Sequence, residues 1–496
     1  MSNPTIATIG RVGPSSKLQS RVDGQLTLEA GVRQLFVDDF MIAEANNVKR
    51  RLHQPVKYPE NPVLIPERPW EGVMTILYGT VMRDEEDGVF KMWYQAFNPT
   101  LPTAEEAAKA RVTCYATSED GIHWERPDLG VVDYYGDSKN NIVLSHKVQK
   151  HYGEIHNVVK DIDDEDPQRL YKMTLCSGYG VAHPGSYYSA CSPDGIHWTP
   201  TEVPIITHEG QKPDISHFVK NPYRNRYCLY CRVLEMRPEV ARNVPVGSSG
   251  RAVALMESED FVNWSVPETV FLVDEDDPTG SDAHRMMVIP YEGMYIGLLE
   301  LYRGVLRDVE INLQLTSSRD GRNWSRVADR ATFLPAGDFG EWDPHFTTFS
   351  DVPIIFKDEM WFYYGARRFK EERVVSDSKP KTLLPVTGAT GLAKLRRDGF
   401  CSIGADCSGG SLTSIPLLLP EGSLHLNMKS DFGAVRLEVL LEDSRPINGG
   451  HASMSVDSTD ARVQFPDAFN LTSVRSQPVR LRFHLENALL YSFWVE

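Results

Sequence analysis

The sequence predicts an all-β chain: a five-bladed β-propeller over residues 31–405 and a C-terminal antiparallel β-sandwich over 411–496, with residues 1–30 as a loosely ordered arm. Three observations carry this. A short turn motif recurs five times, each copy follows an alternating strand and a strand rich in aromatics and Met, and the pattern changes after Phe400.

The motif is Ser118-Glu119-Asp120-Gly121-Ile122-His123-Trp124, repeated as Ser192–Trp198, Ser258–Trp264, Ser318–Trp324 and a degraded Leu395–Phe400. Its aspartates lie 74, 66, 60 and 78 residues apart. In such a turn the Asp accepts from backbone N–H groups further on, Gly supplies a positive φ, and the Trp folds back as an apolar plug. The motif resembles the aspartate-box turns of sugar-processing propellers and is predicted to be a structural staple, not a site.

The strands before each copy are Val112–Thr117, Tyr187–Cys191, Ala252–Glu257, Ile311–Thr316 and Thr390–Lys394. The aromatic strands are Phe90–Phe97, Leu170–Cys176, Tyr227–Val233, Met294–Tyr302 and Met360–Tyr364. Adding one apolar strand upstream and one strand after the turn makes four strands per unit, the blade of a propeller. Leu35–Ile42 reads as a short strand interrupted by Asp38 and Asp39. Beyond Ser411, alternation over Ser423–Met428, Ala434–Leu441, Ala461–Phe465, Val479–His484 and Leu489–Val495 predicts the sandwich.

The net charge of −16 argues against a nucleic-acid or membrane-surface partner. No apolar run approaches the length of a membrane span, and the polar start carries no apolar signal segment. Seven cysteines without disulfide spacing predict a reducing, cytoplasmic setting. Cys228 and Cys231 fall on opposite faces of one strand, which disfavours a shared metal.

In a propeller the innermost strand of every blade starts near the axis, so residues there converge. At that phase stand Glu154-Ile155-His156, Asp214-Ile215-Ser216-His217, Asp282-Ala283-His284-Arg285 and Glu341-Trp342-Asp343-Pro344-His345. The first blade offers only Trp70-Glu71-Gly72 before Thr75–Met82. Converging carboxylates push one another's pKa values apart, as an acid and a base require.

Asn61-Pro62-Val63-Leu64, Trp70-Glu71, the five units and the trailing sandwich together resemble the furanosidase-type glycoside hydrolases of families 32 and 43. The opening is also similar to family 130, the mannoside phosphorylases and hydrolases. The resemblance implies catalytic acids at the starts of inner strands, hence Asp214, Asp282 and Asp343, with Glu71, Glu154 and Glu341 as further candidates. Family 32 opens with an Asn-Asp-Pro nucleophile stretch and family 43 carries an Asp base in its first blade; this chain has neither. Either Glu71 or Asp38/Asp39 stands in, or the chemistry sits on other blades.

The leading expectation is therefore a glycoside hydrolase acting on a small glycoside or glycan end in an axial pocket, with a homo-oligomer as one expected state. Trp70, Trp342, Trp93 and Tyr78 are the candidates to stack on sugars, and Arg285, Arg367 and Arg368 to fork to hydroxyls or an acidic group. A second expectation is a metal-dependent lyase or redox-type carbohydrate enzyme. It would hold one divalent ion at the axis through His156, His217, His284 and His345. A third is a non-catalytic glycan-binding propeller. Between the first two, the sequence leans to a hydrogen-bonded His–carboxylate belt that requires no metal.

Overall fold

The computed structural model describes residues 17–98, 111–145, 154–176, 187–201, 204–205, 215–234, 245, 248–305, 308–338, 340–344, 346–367 and 387–496. These residues are almost wholly β, with three short 3-10 turns as the helical content among them. No helix among them is long and apolar enough to cross a membrane.

Five antiparallel strand groups follow one another along the chain. The first runs Met74–Arg83, Phe90–Phe97, Arg111–Ser118, Ile142–Ser145. The second runs Glu154–Lys160, Tyr171–Cys176, Tyr187–Ser192, Thr199–Pro200. The third runs Ser216–Asn221, Arg226–Leu234, Arg251–Ser258, Glu268–Phe271. The fourth opens with Ser281–Tyr291, Met294–Val305 and Asp308–Ser318. In the fifth, Phe346–Phe349 and Ile354–Phe356 both pair with Glu359–Arg367, which pairs with Gly388–Arg396. The outer strand of this last group is Val56–Lys57, supplied from far upstream, and Gly388 pairs parallel with Met74 so that the fifth group joins the first.

The first strands are tied into a closed ring by hydrogen bonds. The Val158 N–H donates to Thr80 Oγ1 at 2.8 Å, and the Asn157 amide exchanges two bonds with the Phe218 backbone. The Val288 N–H donates to His217 Nδ1 at 3.2 Å, and Arg285 donates to the carbonyls of Phe349 and Ser350 at 3.0 and 3.2 Å. Asp351 then accepts from Thr80 at 2.6 Å and from His217 Nε2 at 2.5 Å. Every one of these groups is buried, where an unmade bond costs more than a made one gains.

The repeated turns are staples between neighbouring groups. Within the first four, the Asp Oδ1 accepts from two backbone N–H groups, as Asp120 does from Ile122 and His123 at 2.8 and 2.9 Å. The carbonyl of the following Gly is taken by the preceding group: Tyr363 OH bonds Gly121 O at 2.7 Å, Trp93 Nε1 bonds Gly195 O at 2.6 Å, and Tyr230 OH bonds Gly321 O at 3.1 Å. In the looser third copy Phe261 adopts φ +63° in place of Gly, and Arg169 reaches the Asp260 carbonyl instead. The degraded fifth copy uses the side chain of Asp398, which accepts from Tyr291. Trp198 is buried in such a turn. Its replacement by Ala is expected to cost about 3–5 kcal/mol in denaturant titration, as a buried aromatic deletion.

The remaining strands form a seven-stranded and a six-stranded sheet around one apolar core that includes Leu426, Leu437, Leu481 and Phe493. The strands Leu424–Lys429, Ala434–Leu441, Val479–Glu486 and Ala488–Val495 lie close to their expected positions. The stretch expected over Ala461–Phe465 is shifted to Ser458–Arg462.

Two expectations about the N-terminal segment are corrected. Leu26–Thr27, in the supposed arm, pairs parallel with Leu417–Leu418, and Leu26 and Leu28 are buried in the C-terminal core. Leu35–Ile42 is not one strand: Gln34–Leu35 pairs with the last strand, and a separate strand, Ile42–Asn46, pairs with Gly410–Ser414. Residues 34–52 therefore pair with the C-terminal sheets; Phe36 and Met41 are buried in that core, while Leu35 and Val37 are buried against the fourth and fifth groups.

Candidate functional site

The first strands begin at one end of the ring, here called the mouth, and β-bulges mark this end. His284 is the extra residue between the Ala283 and Arg285 pairs, and His156 holds the same place between Ile155 and Asn157. In the first group, Leu77, Tyr78 and Gly79 oppose a single residue between the Ile76 and Thr80 pairs. A bulge re-aims a side chain that a regular ladder would bury. Gly79 is required there, since a Cβ would strike the Trp93 carbonyl.

His284 is the best-defined group at the mouth. Its Nδ1 lies 2.6 Å from Glu300 Oε2, and Thr348 donates to the other Glu300 oxygen. The ring stacks on Tyr302, 5.9 Å between centroids at 15°, and meets Phe346 edge-on at 5.7 Å. Phe346 in turn packs against Tyr78 and lies under Arg367. Burial holds the His284 pKa down at about 4; Glu300 pulls it up, and the charges of Arg232 and Arg251 push it further down. His284 is thus a neutral imidazole whose Nδ1–H is committed to Glu300, leaving Nε2 as an acceptor.

The pKa of His217 is also lowered by burial. For a base with a lowered folded-state value, the unfolded chain binds more protons at acid pH. Stability is therefore full above about 6.5 and is expected to decline as pH falls from there toward 4, as thermal melts across that range would show.

A second cluster flanks the mouth. Asp343 is fully buried, and its Oδ2 takes Lys57 Nζ at 2.7 Å and Tyr364 OH at 3.0 Å. Its Oδ1 has no hydrogen-bond donor among the described residues. Trp342 stacks on Tyr364, 5.5 Å between centroids. The exposed Glu341 and Asp343 both reach Gly337 so closely that a Cβ there would collide with each. Burial and the neighbouring carboxylate of Asp343 raise the Tyr364 pKa, so its hydroxyl stays a donor.

Several expected site residues are engaged in hydrogen bonds within the protein. Glu71 is fully buried and accepts from the Glu67 and Arg68 N–H groups, Tyr94 and Arg126, which uses both its oxygens. Trp70 donates to Asn141 at 2.8 Å inside the first group's core, and Trp93 is sealed in a staple. Asp282 accepts from Ser248, Ser249 and the Arg251 N–H, so it anchors that loop. Arg285 closes the ring below the mouth. Asp38 is taken by Arg319 and Asp39 by Arg50, away from the mouth.

Of the four histidines expected as ligands, His217 and His284 have described side chains. His217 lies on a regular ladder with both ring nitrogens used, by Val288 and Asp351. Among the described residues no three His, Cys, Asp or Glu side chains stand together as a metal site. Asp214, His345 and Arg368 lie outside the described residues, as do the side chains of Glu154 and His156. Of the remaining candidates, Tyr78, His284 and Arg367 meet at the mouth, and Trp342, Asp343 and Glu341 flank it.

Glu300, Tyr302, Lys57, Tyr364 and Asp351 escaped the sequence reading. Glu300 alone left a signal, a carboxylate inside the apolar run Ile296-Gly297-Leu298-Leu299-Glu300-Leu301.

No family model matches the sequence, and no curated protein does. Among solved structures the chain is similar to one described as a glycoside hydrolase, at a TM-score of 0.48 and 14% identity over 69% of this chain and 92% of that one. It is similar to a structure described under the GH130 family of mannoside phosphorylases, containing glycoside hydrolases that target beta-1,2 mannosidic linkages in Candida mannan. There the TM-score is 0.44 and the identity 16%, over 70% and 94% of the two chains. It is also similar to the Bombyx mori GH32 beta-fructofuranosidase BmSUC1, at a TM-score of 0.39 and 11% identity over 90% and 93% of the two chains.

Proposed function

We propose that this chain is a glycosidase acting on a small glycoside or glycan end at the mouth of a five-bladed propeller, with the two C-terminal sheets as a packed sandwich. The ring of five first strands and the staples between successive groups support the propeller reading. The observation that carries the functional reading is the set of bulges near the starts of the first strands, where Tyr78 and the Glu300-backed His284 stand in the bulged positions.

In this reading Tyr78, Tyr302 and Phe346 offer faces to the sugar, and His284 Nε2 accepts from a sugar hydroxyl. One carboxylic acid protonates the glycosidic oxygen while a carboxylate attacks the anomeric carbon or activates water. Asp343 with Glu341, and Asp214 and Glu154 from the sequence pattern, are the candidates for those two roles. The histidines serve as a hydrogen-bonded belt, not as a ligand set, so cleavage should be indifferent to chelators. A cytoplasmic setting remains part of the proposal.

The test is direct. Asp214→Asn and Asp343→Asn should keep the fold and lower turnover by about 10²–10⁴-fold, as expected for an acid, base or nucleophile. Full activity in both variants, with the fold intact, would remove the carboxylate assignment.

A further inference from the structure

The joint between the ring of strands and the C-terminal sheets holds two buried carboxylates with very different surroundings. Asp398, in the degraded fifth turn, accepts from Tyr291, from Arg33 at 2.9 Å, from Ser492 at 2.6 Å and from Asn427 at 3.3 Å. Glu292 is equally buried, yet its Oε2 takes one neutral donor, the Arg33 N–H at 2.9 Å, and its Oε1 has no donor among the described residues. Glu292 and Gly293 form the two-residue turn between Tyr291 and Met294, with Glu292 at φ +48°. Such a turn favours Asn or Gly at that place, so the turn itself does not call for a glutamate. A buried carboxylate with a guanidinium and several further donors can keep its charge, whereas one with a single N–H cannot replace the water it lost. An unpaired hydroxyl costs far less than an unpaired charge, so Glu292 is better buried as the acid. Burial, and then the charge of Asp398, raise its pKa well above the ordinary carboxylate range, against the pull of Arg33 and Arg397. Tyr291 and Tyr223 also stand close enough to feel its charge, and the C-terminal sheets bring the uncharged Asn427, Ser492 and Trp494 to the joint.

We propose that Glu292 is a proton-held latch: as the acid it seats the turn of the fourth group against Arg33 and Asp398, and its ionisation loosens the C-terminal sheets from the ring. Ionised, Glu292 would place a second negative charge beside Asp398 and compete with it for Arg33, whose guanidinium holds Asp398 and stacks 3.6 Å from the Trp494 ring. A proton bound more tightly in the folded chain than in the unfolded one stabilises the fold. That contribution is full below the ordinary glutamate value and is lost as pH rises through the folded-state value. Its sign is opposite to that of His217 and His284, so comparison with a variant at one pH isolates it. The latch lies at the end of the strand Ser281–Tyr291 away from His284 and holds whether or not the mouth cleaves a glycoside.

The experiment compares the full chain with Glu292→Gln, which keeps an acceptor for the Arg33 N–H and cannot ionise. Infrared difference spectra at about pH 6 should show a carboxylic acid carbonyl band in wild type that is absent from Glu292→Gln and fades as the pH is raised. At about pH 9 wild type should melt at least about 2 °C below Glu292→Gln, and the gap should close at about pH 5. Amide exchange over Gln34–Leu35 and Ala488–Val495 should be faster in wild type than in Glu292→Gln at the alkaline pH and equal at the acid one. Glu310→Gln, which removes an acid from an exposed pair with Arg303, should track wild type at both. If Glu292→Gln does not fold, wild type labelled with carbon-13 in its glutamates decides, since a titrating acid band from Glu292 must shift with the label. Absence of a titrating glutamic acid band, a melting gap that does not change with pH, or equal exchange at alkaline pH overturns the latch.

Discussion

His284→Asn is expected to lower kcat/KM by at least about 100-fold on any glycoside the chain cleaves, with the fold intact. The Asn amide can stand where Nδ1–H stood and keep Glu300 satisfied. What is lost is Nε2, the ring nitrogen that Glu300 does not engage. Misplacing a substrate by about an ångström is enough for a loss of that size. Thermal melting and steady-state kinetics on the same preparation separate the two effects. A variant that melts like wild type and turns over like wild type would show that His284 does not meet substrate.

Asp351→Ala should lower stability by about 3–5 kcal/mol in denaturant titration. Asp351 bonds Thr80 from the first group and His217 from the third, and its own backbone follows the last first-strand, so its carboxylate joins three parts of the ring. Its removal leaves a buried hydroxyl and a buried imidazole N–H without an acceptor, which costs more than the bonds themselves gained. A change below about 1 kcal/mol would mean that the ring does not depend on this junction.

Much of the fold was legible because its signals are local. The aspartate turns, the aromatic strands and the alternation beyond Ser411 each declare themselves within a few residues. Pairing over long separations was not legible: nothing near Leu26 announces Leu417, and nothing near Val56 announces Lys394. The candidate site was half legible for a related reason. An acid followed by His is visible in sequence, but a bulge is not, and the bulge separates His284, aimed at the mouth, from His217, locked beneath it. The surroundings of Glu71 were not legible either, since its four donors come from backbone, Tyr94 and Arg126, which no spacing rule brings together.

The central claim is glycosidic cleavage at the mouth without a metal. The measurement that meets it most directly is release of reducing ends from a panel of neutral and anionic oligosaccharides by the purified chain, with and without chelator, beside His284→Asn. Release should be unchanged by chelator and lowered by at least about 100-fold in His284→Asn. Release that chelator abolishes and a divalent metal restores would contradict the claim, as would release at the wild-type rate in His284→Asn.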